Sequence, residues 1–205
     1  MRPRADAGSA RLGGRRGRRR AAARAVRTTV LIAAFTLGHT AAPPPAPAAA
    51  AFTLASAAFA NGARIPDAHT CAGANISPPL RWTGRPAAAR SYALLAVDPD
   101  APGGNFVHWV VYDLPAAWTG LPSGVGPGLR IGGQRGGTQG INDFRRIGYG
   151  GPCPPPGPVH HYVFTLYALD IAQLPVPFAA PPGLVKRTLQ GHILATAGLT
   201  GLFSR

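Results

Sequence analysis

Four side chains in this 205-residue chain have the types and positions to act together: Asp98, His108, His160 and Tyr162. Each sits at the end or on the face of an apolar run. Asp98 closes the run 91–97. His108 lies inside 106–112, where a period of two puts it on one face with Phe106, Val110 and Tyr112. His160 and Tyr162 are two apart at the start of the third run, ending at residue 169, so they also share a face. On neighbouring strands the four would line one pocket, with a carboxylate holding an imidazole in one tautomer or charging it and two more donors nearby. Such a set suits a small anion: phosphate, sulfate or carboxylate. The same residues also read as satisfied buried histidines and a half-buried strand tyrosine, and composition and period leave both readings open. A metal site is disfavoured, because His160 and His161 point to opposite faces of a strand.

Other chemistries are excluded by what the chain lacks. It has no Glu, so a Glu general acid or base is ruled out. It carries no Gly-x-Ser-x-Gly elbow, His-Glu-x-x-His pair, phosphate-cradling Walker loop or Gly-x-Gly-x-x-Gly turn. Asp98-Pro99-Asp100 resembles the start of a calcium loop, but the twelfth-position Glu is missing and two prolines stiffen the segment. A hydrolase built on His108 and Asp98 lacks a Ser, Thr or Cys fixed beside that pair. The expectation is therefore a protein with no catalytic residues, no metal and no cofactor.

The elements that must position these residues are short. The three runs are rich in β-branched and aromatic residues and are bounded by Pro, Gly or Asp, which marks them as strands. Between them lie Gly/Pro loops at 98–104, 120–137 and 148–158, drawn from 27 Gly and 23 Pro. One helical pattern stands out, 182–197, where Leu184, Val185, Leu189, His192, Ile193 and Thr196 recur at spacings of three and four. Hydrophobic residues at 46% exclude disorder throughout. The fold class expected is all-β dominated, a β-sandwich with a short C-terminal helix.

Charge divides the chain into two parts. The formal net charge is +14, but residues 1–27 hold ten Arg against one Asp, and 28–50 hold no charge at all. A basic region, the apolar stretch 30–37 and an Ala/Pro exit are the three parts of an export signal. The competing readings of 1–50 are an Arg-rich nucleic-acid-binding arm and GC-biased low complexity. The remainder, 51–205, is one domain and only mildly basic, so no nucleic-acid binding is expected of it. Export places the destination in the periplasm or outside the cell; the alternative is a cytoplasmic protein whose true start lies downstream of Met1.

The order of several motifs resembles the phosphatidylethanolamine-binding protein (PEBP) family, in its bacterial Raf-kinase-inhibitor-like branch. They are 59–66 (Phe-Ala-Asn-Gly-Ala-Arg-Ile-Pro), 70–82 with Cys71, Asn75 and Ser77-Pro78-Pro79, and Asp98-Pro99-Asp100-Ala101-Pro102. After these come 108–115 (His-Trp-Val-Val-Tyr-Asp-Leu-Pro), Asn142-Asp143-Phe144, Gly148-Tyr149-Gly150-Gly151-Pro152-Cys153, and His160-His161-Tyr162. Together they cover about 52–203. The resemblance implies an antiparallel β-sandwich with a small surface pocket for anionic groups such as phosphate or a phospholipid head group. Its polar lining would be Asp98, His108, His160 and Tyr162, with Asp98 orienting or charging His108. Its apolar rim would be Pro99, Trp109, Gly151 and Pro152. The chain departs from the family where Arg145 and Arg146 follow Asn-Asp-Phe in place of Gly, and where His161 replaces Arg. Cys71 and Cys153 fall in two matching motifs, and export favours a disulfide between them. The function expected is non-enzymatic binding of a small anion or phospholipid head group. The alternative is inhibition of a protease or kinase through the loops around the pocket, and a homodimer is in keeping with bacterial relatives.

Overall fold

The run 91–97 has almost no polar side chains because it is covered on both faces. In the computed structural model, which describes residues 50–205, it forms strand β4 (Ser91–Asp98), buried nearly throughout. Tyr92, Leu94 and Ala96 point one way, into a cluster with Leu54, Leu80, Trp82 and Leu121. Ala93 and Leu95 point the other way, towards Val185 and Leu189 of the α-helix at Pro182–Leu189. Removing each large apolar side chain from water contributes about 1.5–3 kcal/mol, so both coverings matter. The reading of 1–50 as an export segment lies outside the described residues.

The remaining strands are β1 (Thr53–Ala55), β2 (Ala63–Arg64), β3 (Leu80–Thr83), β5 (Phe106–Pro115), β6 (Gly120–Leu121), β7 (Thr138–Gln139), β8 (His160–Leu169) and β9 (Ile193–Phe203). They build a six-stranded sheet in the order β2-β9-β8-β4-β5-β7, packed against a three-stranded sheet β1-β3-β6. This is the β-sandwich expected, with one difference in detail. The short edge pair β2 and β9 runs parallel, while all the other pairs are antiparallel.

The helical pattern 182–197 covers two elements. Helix α1 spans only Pro182–Leu189, with proline at its start, where a missing N–H costs nothing. Gly191 follows, and Ile193 already belongs to β9. Along β9 the buried positions Ala197, Leu199, Gly201 and Phe203 alternate strictly, which is the strand period. Thr196 is therefore a strand residue paired with Tyr167, and the helix is not the C-terminal element. Gly201 has no room for a side chain, since a Cβ there would sit 2.4 Å from Ile65 Cγ1.

Cys71 and Cys153 form a disulfide across 82 residues of chain, with Cα atoms 5.3 Å apart. It ties the loop after β2 to the Gly/Pro loop before β8. Three hydrogen bonds run alongside it: Cys71 N–H to the Pro152 carbonyl (3.0 Å), Gly151 N–H to Asn75 Oδ1 (2.7 Å) and Tyr149 Oη–H to the His69 carbonyl (2.8 Å). Closing a loop this long removes unfolded-state entropy worth about 4 kcal/mol. Replacing both cysteines by serine should therefore lower the unfolding free energy by roughly that amount in urea titrations. A loss below about 1 kcal/mol would show that the neighbouring hydrogen bonds hold the two loops without it.

Candidate functional site

His108 reaches its position through an irregularity in β5. Ala96 of β4 pairs with Trp109, but the next residue, Val97, pairs with Val107, so His108 is one residue more than the ladder needs. Such a bulge re-aims the side chains on either side of it. Trp109 and Val111 turn into the sandwich, while Val107, Val110 and Tyr112 turn towards the helix. The simple period had put His108 with Phe106, Val110 and Tyr112. Only Phe106 is its neighbour, the two rings lying 5.2 Å apart.

The structure brings together all four residues singled out from the sequence. Asp98, His108, His160 and Tyr162 line one cavity of about 200 Å³ at the end of the large sheet. Asp98 is 3% exposed and both of its oxygens are in use: Oδ1 accepts the Asp100 N–H at 2.9 Å, and Oδ2 accepts from His160 Nδ1 at 2.8 Å. Asp98 thus orients His160, not His108 as the resemblance implied. β8 lies beside β4, with Val97 opposite Val163, which carries the start of β8 to the Asp98 end. His108 Nδ1 instead donates to the carbonyl of Gly150 at 2.7 Å. A carbonyl can only accept, so the proton sits on Nδ1 and the neutral ring presents the lone pair of Nε2.

Burial holds the His108 pKa below its usual value, overcoming the Gly150 carbonyl and the Asp98 charge, which both favour the charged ring. Tyr162 is 1% exposed, and among the described residues its hydroxyl has no hydrogen-bond partner. Its pKa is raised, first by burial and then by the charge and the nearby side chain of Asp98, so the phenol keeps its proton; the hydroxyl lies close to that carboxylate without closing a hydrogen bond to it. Its ring meets His108 edge to face at 5.1 Å. His161, on the other face of β8, pairs with Asp100 at 2.8 Å in solvent.

The rim differs from the expected one. Pro99 is exposed and lies outside the cavity wall. Trp109 is fully buried in the sandwich, its Nε1 donating to Gln139 Oε1 at 2.8 Å. Gly151 and Pro152 are buried behind the wall, Gly151 facing an adjoining cavity. The actual rim is Ala101, Pro102, Phe106, Phe144, Pro154 and Pro155. Phe106 was within reach of sequence reasoning, two residues before His108 on the same strand. Phe144 carried a signal too, as the last residue of the Asn142-Asp143-Phe144 motif. The segment holding Phe144 is fixed to β5: Asp143 Oδ2 accepts the Val107 N–H, and Asn142 Nδ2 donates to the His108 carbonyl at 3.3 Å.

A family model for phosphatidylethanolamine-binding protein matches residues 55–204. The chain belongs to the PEBP family. A UPF0098 protein of Methanothermobacter thermautotrophicus is 45% identical over 152 residues, 74% of this chain and 98% of that protein. A Mycobacterium tuberculosis protein whose name describes it as a lipoprotein, LppC, is 47% identical over 140 residues, 68% of this chain and 63% of its own length. Among solved structures, that of Escherichia coli YbcL, titled a new member of the mammalian PEBP family, has a TM-score of 0.69 at 37% identity, covering 76% of this chain and 99% of that one. Membership makes this PEBP-family chain a ligand-binding protein.

Two outcomes follow from the burial of this cavity. Tyr162→Phe deletes a buried hydroxyl that has no partner, so unfolding free energy should rise by about 1 kcal/mol, where a tyrosine with a satisfied hydroxyl would lose about as much. His108 binds its proton more weakly when folded than when unfolded. Its contribution is therefore present above the unfolded pKa of about 6.5 and is lost as the pH falls below it. In urea titrations the stability of the wild type relative to His108→Gln should fall between about pH 7.5 and 5.5. A constant difference would mean that burial does not depress this imidazole.

Proposed function

We propose that this protein is a non-enzymatic binder of small anions, phosphate or the phosphate-bearing head group of a phospholipid such as phosphoethanolamine, in the cavity of Asp98, His108, His160 and Tyr162. The observation that carries this reading is the set of unused polar atoms. Both imidazoles have Nδ1 engaged, leaving Nε2 to a ligand, and Tyr162 Oη is buried with no partner among the described residues. A buried hydroxyl without a partner costs about 1–3 kcal/mol, which an anion oxygen would recover. A cavity of about 200 Å³ suits a phosphate with a short organic tail and is too small for an acyl chain. Its wall offers no Ser, no Thr and no free Cys, since Cys153 is in the disulfide. That supports binding without turnover.

Neutral His108 presents a lone pair to the cavity, so an anion is held there only when the ring takes up a second proton. Binding is thus linked to proton uptake, and affinity rises as the pH falls. Calorimetric titration with phosphoethanolamine, inorganic phosphate and sulfate tests this, sulfate being the probe whose own charge stays constant. His108→Ala and Tyr162→Phe should each weaken binding at least tenfold, about 1.4 kcal/mol, and sulfate affinity should increase from about pH 8 to 6 as His108 gains its proton. Absence of binding by the well-folded parent would sink the reading. It would turn attention to inhibition of a protease or kinase, for which Phe144 at 39% and Val159 at 51% exposure offer apolar contact near the pocket strands.

We further infer export. The order basic, apolar, small-residue in 1–50 supports it, as do the disulfide and the likeness to LppC.

A further inference from the structure

A second cavity of about 250 Å³ adjoins the first, and the two share Phe144 and Cys153 as walls. They are lobes on either side of one phenyl ring and one disulfide. Resting on the anion-binding reading above, we propose that the second lobe is an acceptor subsite centred on Arg146. The ligand would then be a phosphate ester whose organic part carries a carboxylate.

The hydrogen-bond inventory of the second lobe points there. Asn142 is fully used: Nδ2 donates to the carbonyls of His108 and Gly148, and Oδ1 accepts the Arg146 N–H. Tyr149 spends its hydroxyl proton on the His69 carbonyl. Asn75 accepts the Gly151 N–H through Oδ1, which leaves its NH₂ unspent. The Arg146 guanidinium has no ion pair or hydrogen bond among the described residues. The side-chain N–H groups left free in the lobe are therefore the Asn75 NH₂ and the Arg146 guanidinium, donors that carry one permanent positive charge. A carboxylate matches that fork in a bidentate manner. The first lobe has the opposite character, a spent carboxylate beside the buried imidazole of His108, whose pKa burial lowers.

The backbone commits to this arrangement. Arg145 stands at φ 62, a left-handed conformation that is strained for a non-glycine residue. It is held there by its N–H to the Asn142 carbonyl and by the Arg146 N–H to Asn142 Oδ1. The turn sets Phe144 and Arg146 against the cavities, while Arg145 lines neither. Gly150 completes it, since a Cβ there would lie 2.5 Å from Phe144 Cδ2. The ring thus rests on bare backbone between the lobes, and a ligand spanning them passes over it.

Calorimetry on the full chain tests the proposal with phosphoethanolamine and O-phosphoserine, which differ by one carboxylate, and with glycerophosphoserine as the diester. O-phosphoserine should bind about tenfold more tightly than phosphoethanolamine. Arg146→Gln should abolish that advantage, and Arg145→Gln, which loses the same charge one residue away, should keep it. A gain for glycerophosphoserine as well supports the subsite with a lipid head group as source, and a gain for O-phosphoserine alone supports it with a free monoester. Equal affinities for phosphoethanolamine and both serine esters overturn the subsite and leave anion binding standing, as does an advantage lost equally in both arginine variants. If none of the three compounds binds, the anion-binding reading falls and the subsite falls with it.

Discussion

One extra residue in β5 governs the end of the sandwich. Strict alternation from Val110 and Tyr112 already turns Trp109 into the sandwich, but it would send His108 under the helix. The skip at His108 turns that side chain instead to the sheet end beside Phe106 and Tyr162. It also frees the His108 carbonyl from the regular ladder, and that carbonyl accepts from Gly150 N–H at 2.9 Å and from Asn142 Nδ2. Two loops are thereby anchored to the same residue that contributes the imidazole. A local defect in strand pairing thus defines both the site and its walls.

Around that point the polar groups are arranged so that few of them remain free. Asp98 has both oxygens occupied, each histidine has one nitrogen fixed, and Asn142 makes its full complement of bonds. Fully satisfied networks are rigid, because any rotation breaks a bond in a medium where water cannot replace it. The free atoms, two imidazole Nε2 and one phenol, are therefore presented in fixed directions. Preorganisation of this kind lowers the cost of ordering the site when a ligand arrives.

The residue types at the site were legible in the sequence, and their pairing was not. Strand period alone places His160 and Tyr162 on one face, and this holds because β8 is regular over those residues. Which imidazole Asp98 holds depends on the lateral order β8-β4-β5, with β4 between the two histidine strands, and nothing local encodes that order. The rim failed differently. Trp109 alternates with Val110 and Tyr112 and so faces the core, which strand period alone could have shown. The helix pattern 182–197 ran too far because residues three and four apart in β9 are apolar by coincidence with the period-two strand. Gly191 was the one local sign of a break. Cys71 and Cys153 were legible as a pair because two cysteines leave a single intramolecular choice, and the export reading favoured their oxidation.

The two lobes differ in their electrostatics, and on the anion-binding reading Arg146 supplies what the first one lacks. In the first lobe Asp98 contributes a fixed negative charge, and His108 is neutral above its lowered pKa, so the field there opposes an anion until a proton arrives. Asp98 cannot be dispensed with, since it fixes His160. A compensating charge must then come from outside the cavity wall, and it must be one that burial cannot switch off. Arginine meets that requirement, because its charge persists at any physiological pH. The residue before Arg146, Arg145, stands in a left-handed backbone that glycine would adopt without strain, and its own side chain lines neither cavity. Such strain persists only where the surrounding bonds enforce it, and here the Asn142 side chain, tied to the His108 carbonyl, does so. The charge beside the site and the imidazole within it are thus held by the same asparagine.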